Sequence, residues 1–146
     1  MEAFVAASSL FIGKEMASQT INKTSSSIIT KLGNINEDYG SDCERLFADL
    51  DIKFKMEIMN AYISKINTTS LSIASEAITK CIEYIKELLI EIESEINSLQ
   101  ELKKSYSQQW FGNAYTSNTF MEGFNKIKKH VAILDQRFDI LIKLLG

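Results

Sequence analysis

Apolar residues recur along the chain at alternating spacings of three and four, the period of one face of an α-helix, and four such stretches follow one another. The first runs through Phe4, Ala7, Phe11, Lys14, Ser18, Ile21, Ser25, Ile28, Leu32 and Ile35. Its middle is weak, since Lys14, Ser18 and Ser25 stand where large apolar residues are expected. This predicts a helix over 3–32 that either packs closely through small residues or bends there, with Gly33-Asn34 as its end.

Ser41-Asp42-Cys43-Glu44 matches a capping box, in which a Ser side chain and a Glu three residues on satisfy the free amides of a helix start. A second helix over 42–66 follows, with two apolar stripes. Phe47, Leu50, Phe54 and Ile58 form one, and Ile52, Met56, Met59, Ile63 and Ile66 form the other, rotated by roughly 140°. A helix with so much apolar circumference is wedged between neighbours or covered by a partner chain.

The third stretch carries an unbroken heptad register. Leu71, Ile78, Ile85, Ile92, Leu99 and Tyr106 occupy one core position, and Ala74, Cys81, Leu88, Glu95 and Leu102 the other. A helix over 70–107 would be about 54 Å long at 1.5 Å per residue, longer than a compact bundle of this size needs, so part of it should project or pair with another copy. Glu95, at an apolar register position, reads as a solvated end in preference to a buried polar residue that fixes the register. Thr119-Phe120-Met121-Glu122 is a second capping box, opening a helix over 119–145 with the stripe Phe120, Phe124, Ile127, Val131, Leu134, Phe138, Leu141 and Leu145. The short connection and the charge contrast between a Glu-rich third helix and a fourth bearing Lys126, Lys128, Lys129, Arg137 and Lys143 predict antiparallel pairing of these two. The expected architecture is all-α: an elongated four-helix bundle with antiparallel long helices and a coiled-coil-like third helix. It forms one domain over 1–146, made of an N-terminal helix pair (1–67) and a long helical hairpin (70–146).

Composition agrees with this. A chain of 146 residues that is 45% apolar can bury a real core, and the absence of proline with only six glycines removes the turn chemistry that sheet folds use repeatedly. A net charge of −3 speaks against a nucleic-acid binder held by phosphate contacts. The apolar N-terminal run begins after Glu2 with no preceding cation, unlike a secretory leader, and no stretch approaches the roughly 18 apolar residues of a membrane span. The expectation is a soluble, intracellular protein without a signal peptide, in which the sequons at Asn22 and Asn67 are incidental.

Candidate chemistry is sparse. His130, the only histidine, lies beside Lys128 and Lys129 and reads as a surface neighbour. Glu83, Glu87, Glu91 and Glu95 recur every fourth residue, as metal-binding carboxylates do in some bundles, but the Glu-x-x-His motifs those sites require are missing, so they read as a solvated face. Cys43 and Cys81 are too far apart for a metal knuckle, and Cys81 at a heptad core position reads as a small buried hydrophobe. No catalytic residue, cofactor, metal, nucleic acid or small-molecule substrate is inferred, and the partner expected is another protein or a second copy of the chain.

Trp110-Phe111-Gly112-Asn113-Ala114-Tyr115 joins the two long C-terminal helices, and an aromatic pair followed by glycine suits the tip of a helical hairpin. These residues resemble the WXG proteins of type VII secretion. The resemblance covers residues 83–144 and rests on Trp110, Gly112, Ala114 and the flanking heptads. It implies a small non-enzymatic helical protein that pairs in dimers and is exported without a leader. The chain departs from that pattern in its two additional N-terminal helices and in lacking a Tyr-x-x-x-acid signal after the last helix.

Fourteen lysines against two arginines, with twenty isoleucines, point to an AT-rich genome. Together these observations lead to a non-enzymatic structural or adaptor protein acting by helix-helix contacts, of the kind found as a minor virion or capsid component; the alternative is the WXG-type protein. The contact residues expected are Met56, Met59 and Ile63 on the second helix and Trp110, Phe111 and Tyr115 at the hairpin tip.

Overall fold

The computed structural model describes the backbone of residues 2–39, 41–68, 76–107 and 118–145 and the side chains of 17–37, 43–66, 76–102 and 118–145. Within these the chain is all-α: α1 (Glu2–Tyr39), α2 (Ser41–Ala48), α3 (Ile52–Thr68), α4 (Glu76–Ser107) and α5 (Asn118–Leu145). The expected third helix starts here at Glu76, and residues 69–75 lie outside the described residues.

Two elements differ from the expectation. The first helix does not stop at Gly33-Asn34 but runs on to Tyr39. Ile28, Leu32 and Ile35 continue the buried stripe through the glycine, and that packing outweighs the modest helix-breaking tendency of a single Gly. The second helix is broken into α2 and α3 at residues 49–51. There the amides of Leu50 and Asp51 bond to the carbonyls of Phe47 and Ala48 at 3.1 and 3.0 Å, a tightened three-residue turn. Asp51 then takes a left-handed conformation (φ 52°), which Asp tolerates better than most residues, and its carbonyl accepts the first hydrogen bond of α3 from the Lys55 amide. The break is a phase slip. Cys43 and Phe47 of α2, Leu50 of the turn, and Ile52, Met56, Met59, Ile63 and Ile66 of α3 all enter one core, which a continuous helix would point in two directions.

α4 and α5 run antiparallel, as expected: Tyr84 meets Arg137, Glu95 meets His130, and Leu99 meets Gly123. α3 runs alongside α5 in the same direction, through Lys55 to Asp135 and Tyr62 to Phe138, with Phe47 of the preceding α2 against Phe124. The short α2 turn reverses the chain between α1 and α3, so direction alternates through the four rods. In cross-section the order is α3, α1, α4, α5, with broad packing of α1 on α4 and of α4 on α5, and only slight contact between α3 and α5.

α4 is the hub. Ile78, Cys81, Ile82, Ile85, Leu88, Leu89, Ile92, Ile96 and Leu99 are all buried. Part of the length expected to project or pair with another copy is packed within the chain: α1, itself about 57 Å long by its 38 residues, lies broadly on α4. The small-residue middle of α1 serves close packing, with Ala17, Ser18, Thr24 and Ser25 all buried.

Candidate interaction surface

The phase slip at residues 49–51 decides which apolar residues of α3 face inward. Met56, Met59 and Ile63, expected as contact residues, are core instead, at 0, 1 and 0% exposure. Left outside are Phe54, Ile58 and Tyr62, at 58, 39 and 42%, one above the other at i, i+4 and i+8. Trp110, Phe111 and Tyr115 lie outside the described residues.

The exposed stripe borders the thin α3–α5 seam. Between the helices runs a groove of about 130 Å³, with Met59 and Leu134 at its base and Phe54, Ile58 and Phe138 on its walls. Tyr62 packs edge-on against Phe138, ring centroids 5.6 Å apart. Lys55 donates to Asp135 at 2.9 Å across the seam, a partly exposed pair that ties the helices where little apolar contact does. This surface is apolar in the middle with charge at its margins.

No protein-family profile matches the chain, and neither a curated protein nor a solved structure matches it. The site is therefore read from the residues alone.

Three other features carry titratable, nucleophilic or polar groups. His130 does not sit on the surface: its ring turns toward α4, with Nδ1 2.7 Å from Glu95 Oε1 and Nε2 4.0 Å from Glu91. Glu95 is correspondingly not a solvated end, since its side chain is only 14% exposed. The oxygen lies off the axis of the ring N–H, and Glu95 Oε2 has no hydrogen-bond partner, so this is a close polar contact rather than an aligned acid-base pair. The second feature is the thiols. Burial pushes Cys43 up to about 11 and raises Cys81, whose rise the Arg137 guanidinium tempers; both stay protonated at neutral pH and are poor nucleophiles. Cys81 donates to the Arg137 carbonyl at 3.4 Å, while the Arg137 guanidinium donates to the Tyr84 carbonyl at 2.7 Å and lies over the Tyr84 ring. The third is a cleft of about 420 Å³ where α1 meets the α2–α3 turn, bordered by Gly33, Asn36, Glu44 and Lys53. Its polar groups do not converge on one point in any contact the structure shows. Among the described residues no group of three His, Cys, Asp or Glu could hold a metal ion, and no helix is long and apolar enough to cross a membrane.

Sequence reasoning placed Phe54 and Ile58 on the same stripe as Phe47 and Leu50 and missed Tyr62 altogether. The available signal was Asp51, an acid between two apolar positions two residues apart, Leu50 and Ile52, a spacing that no single helix face provides.

Proposed function

We propose that this protein is a non-enzymatic structural or adaptor component that works by helix-helix contact within a larger assembly. One observation carries the reading: among the described residues a row of large apolar side chains, Phe54, Ile58 and Tyr62, stands exposed at i, i+4 and i+8 along the α3–α5 seam, where the two helix backbones come close at few points. Covering the exposed parts of Phe54 and Ile58 with a partner's surface would gain a fraction of the roughly 1.5–3 kcal/mol that full burial of such a side chain is worth. A minor component of a virion shell is the kind of assembly that fits both this surface and the lysine- and isoleucine-rich composition.

The test is size fractionation of native source material with quantitative mass spectrometry, run in parallel on the natural chain and on Phe54→Ser. The variant should keep its helical circular dichroism and its melting temperature, because Phe54 is exposed. The natural chain should travel with a large particle at fixed stoichiometry and the variant should be lost from it. Free migration of the natural chain would remove the reading.

A further inference from the structure

The exposed stripe of α3 has a symmetry that limits what can cover it. Phe54, Ile58, Tyr62 and Lys65 of α3, and Asp51 in the left-handed turn position just before it, are all exposed, and their spacings are three, four, four and three. The pattern is a palindrome about Ile58, apolar at its three inner positions and opposite in charge at its two ends. We infer that this face pairs with the same face of a second copy of the chain, the two α3 helices antiparallel across a two-fold axis at Ile58. This rests on the reading of the protein as one that acts by helix contact, and it names the partner.

The argument is geometric. In an antiparallel pair centred on Ile58, that residue meets its own copy, Phe54 meets Tyr62 of the other chain, and Asp51 faces Lys65. A two-fold contact requires a self-complementary patch, and this stripe meets that requirement in both size and charge. The unlike ends also forbid the alternative: a parallel pair would set Asp51 on Asp51 and Lys65 on Lys65. Antiparallel packing further places the N-terminal end of each α3 dipole beside the C-terminal end of the other. The groove beside the stripe gives the second chain's Phe54 and Ile58 side chains a recess, with Phe138 as its far wall.

Sedimentation equilibrium of the purified full-length chain, from micromolar to near-millimolar concentration, tests association, and single cysteines test the register. Antiparallel helices pack with axes about 8–10 Å apart, so cysteines at the axis approach disulfide distance. Ile58→Cys should therefore link to itself on mild oxidation. Phe54→Cys should not, because two copies of position 54 are offset by about 12 Å along the helices, at 1.5 Å for each of eight residues. An equimolar mixture of Phe54→Cys and Tyr62→Cys should give the mixed dimer. Cys43 and Cys81 are buried and contribute little background. Ile58→Asp should weaken association by at least about tenfold while leaving helicity intact. A monomer at every concentration overturns the inference. So does a dimer that survives Ile58→Asp, or in which Phe54→Cys links to itself as readily as Ile58→Cys. The two readings fail separately. A monomeric chain whose Phe54→Ser variant still falls out of a native particle keeps the adaptor reading and loses self-pairing, whereas a dimer found in no particle does the reverse.

Discussion

The two sides of this bundle are built on opposite principles. On the closed side α1 packs broadly on α4, and its buried face includes Ala17, Ser18, Thr24 and Ser25, side chains too small to fill a conventional core. On the open side α3 presents Phe54, Ile58 and Tyr62 to solvent beside the half-buried Phe138 of α5, all among the bulkier apolar side chains in the chain, and the two helix backbones come close at few points. Size is thus no guide to burial here. Small residues let helix axes approach and bury their neighbours completely, as Ile21 and Ile28 are buried, whereas large rings along one outer edge hold a groove open. Closeness on the closed side has a cost: the Ser25 and Thr79 hydroxyls are buried without a hydrogen-bond partner.

The comparison predicts its largest contrast between two isoleucines. Ile28→Ala, at 0% exposure, should lower stability by about 2–5 kcal/mol, through lost burial and the cavity left behind. Ile58→Ala, at 39%, should change the stability of the monomer by within about 0.5 kcal/mol. Urea unfolding at a concentration low enough to keep the chain monomeric checks both, and equal losses would abolish the distinction between the sides.

The Glu95 and His130 pair interrupts the apolar packing of α4 on α5. Removing one partner leaves a buried polar group uncompensated, so His130→Leu should cost about 1–3 kcal/mol. Replacing both by leucine should return stability to the natural value or above it, since Glu95 stands at an apolar heptad position. A double-mutant cycle by chemical denaturation reads the pair, and additive losses would show that the two side chains act independently.

Ser25→Ala should raise stability by about 1 kcal/mol. It removes an unpaired buried hydroxyl without adding volume, and Ala is the better helix former. Ser25→Leu should lower stability by about 1–3 kcal/mol as the larger side chain forces the closed side apart. Thermal unfolding distinguishes the two, and a neutral Ser25→Leu would show that small residues do not set the approach of α1.

Much of this was legible in the order of residues. The heptads of α4 and the stripe of α5 mark helices because each register position repeats over several turns, and the small residues of α1 announced either close packing or a bend. The α2–α3 break was hidden because it depends on one residue, Asp51, taking a left-handed conformation that its identity permits but does not demand. The exposed apolar row was hidden with it: once the phase slips, Met56 and Met59 turn inward and Phe54 and Tyr62 are left outside. The meeting of Glu95 with His130 needs the antiparallel register of two helices, which fixes which residues share a level and is not written in either helix alone.

The smallest expected effects come from two glycines, and they bear directly on what sets helix approach. Both lie inside helices, where Gly to Ala is worth up to about 1 kcal/mol of helix propensity. At Gly33 a Cβ would meet nothing within 4 Å, so Gly33→Ala should gain most of that amount. At Gly123 a Cβ would lie 2.9 Å from Leu99 Cδ2 and 3.6 Å from its Cγ. Leu99 is itself buried at 2%, so its methyl has little room to retreat, and the strain of overpacking offsets the propensity gain. Gly123→Ala should therefore fall below Gly33→Ala by at least about 1 kcal/mol in paired denaturant melts. The gap measures how tightly α5 lies on α4. If both substitutions stabilise equally, Leu99 yields without strain and Gly123 does not determine that approach. If Gly123→Ala is clearly destabilising, the missing side chain at 123 does for α5 what Ser18 and Ser25 do for α1.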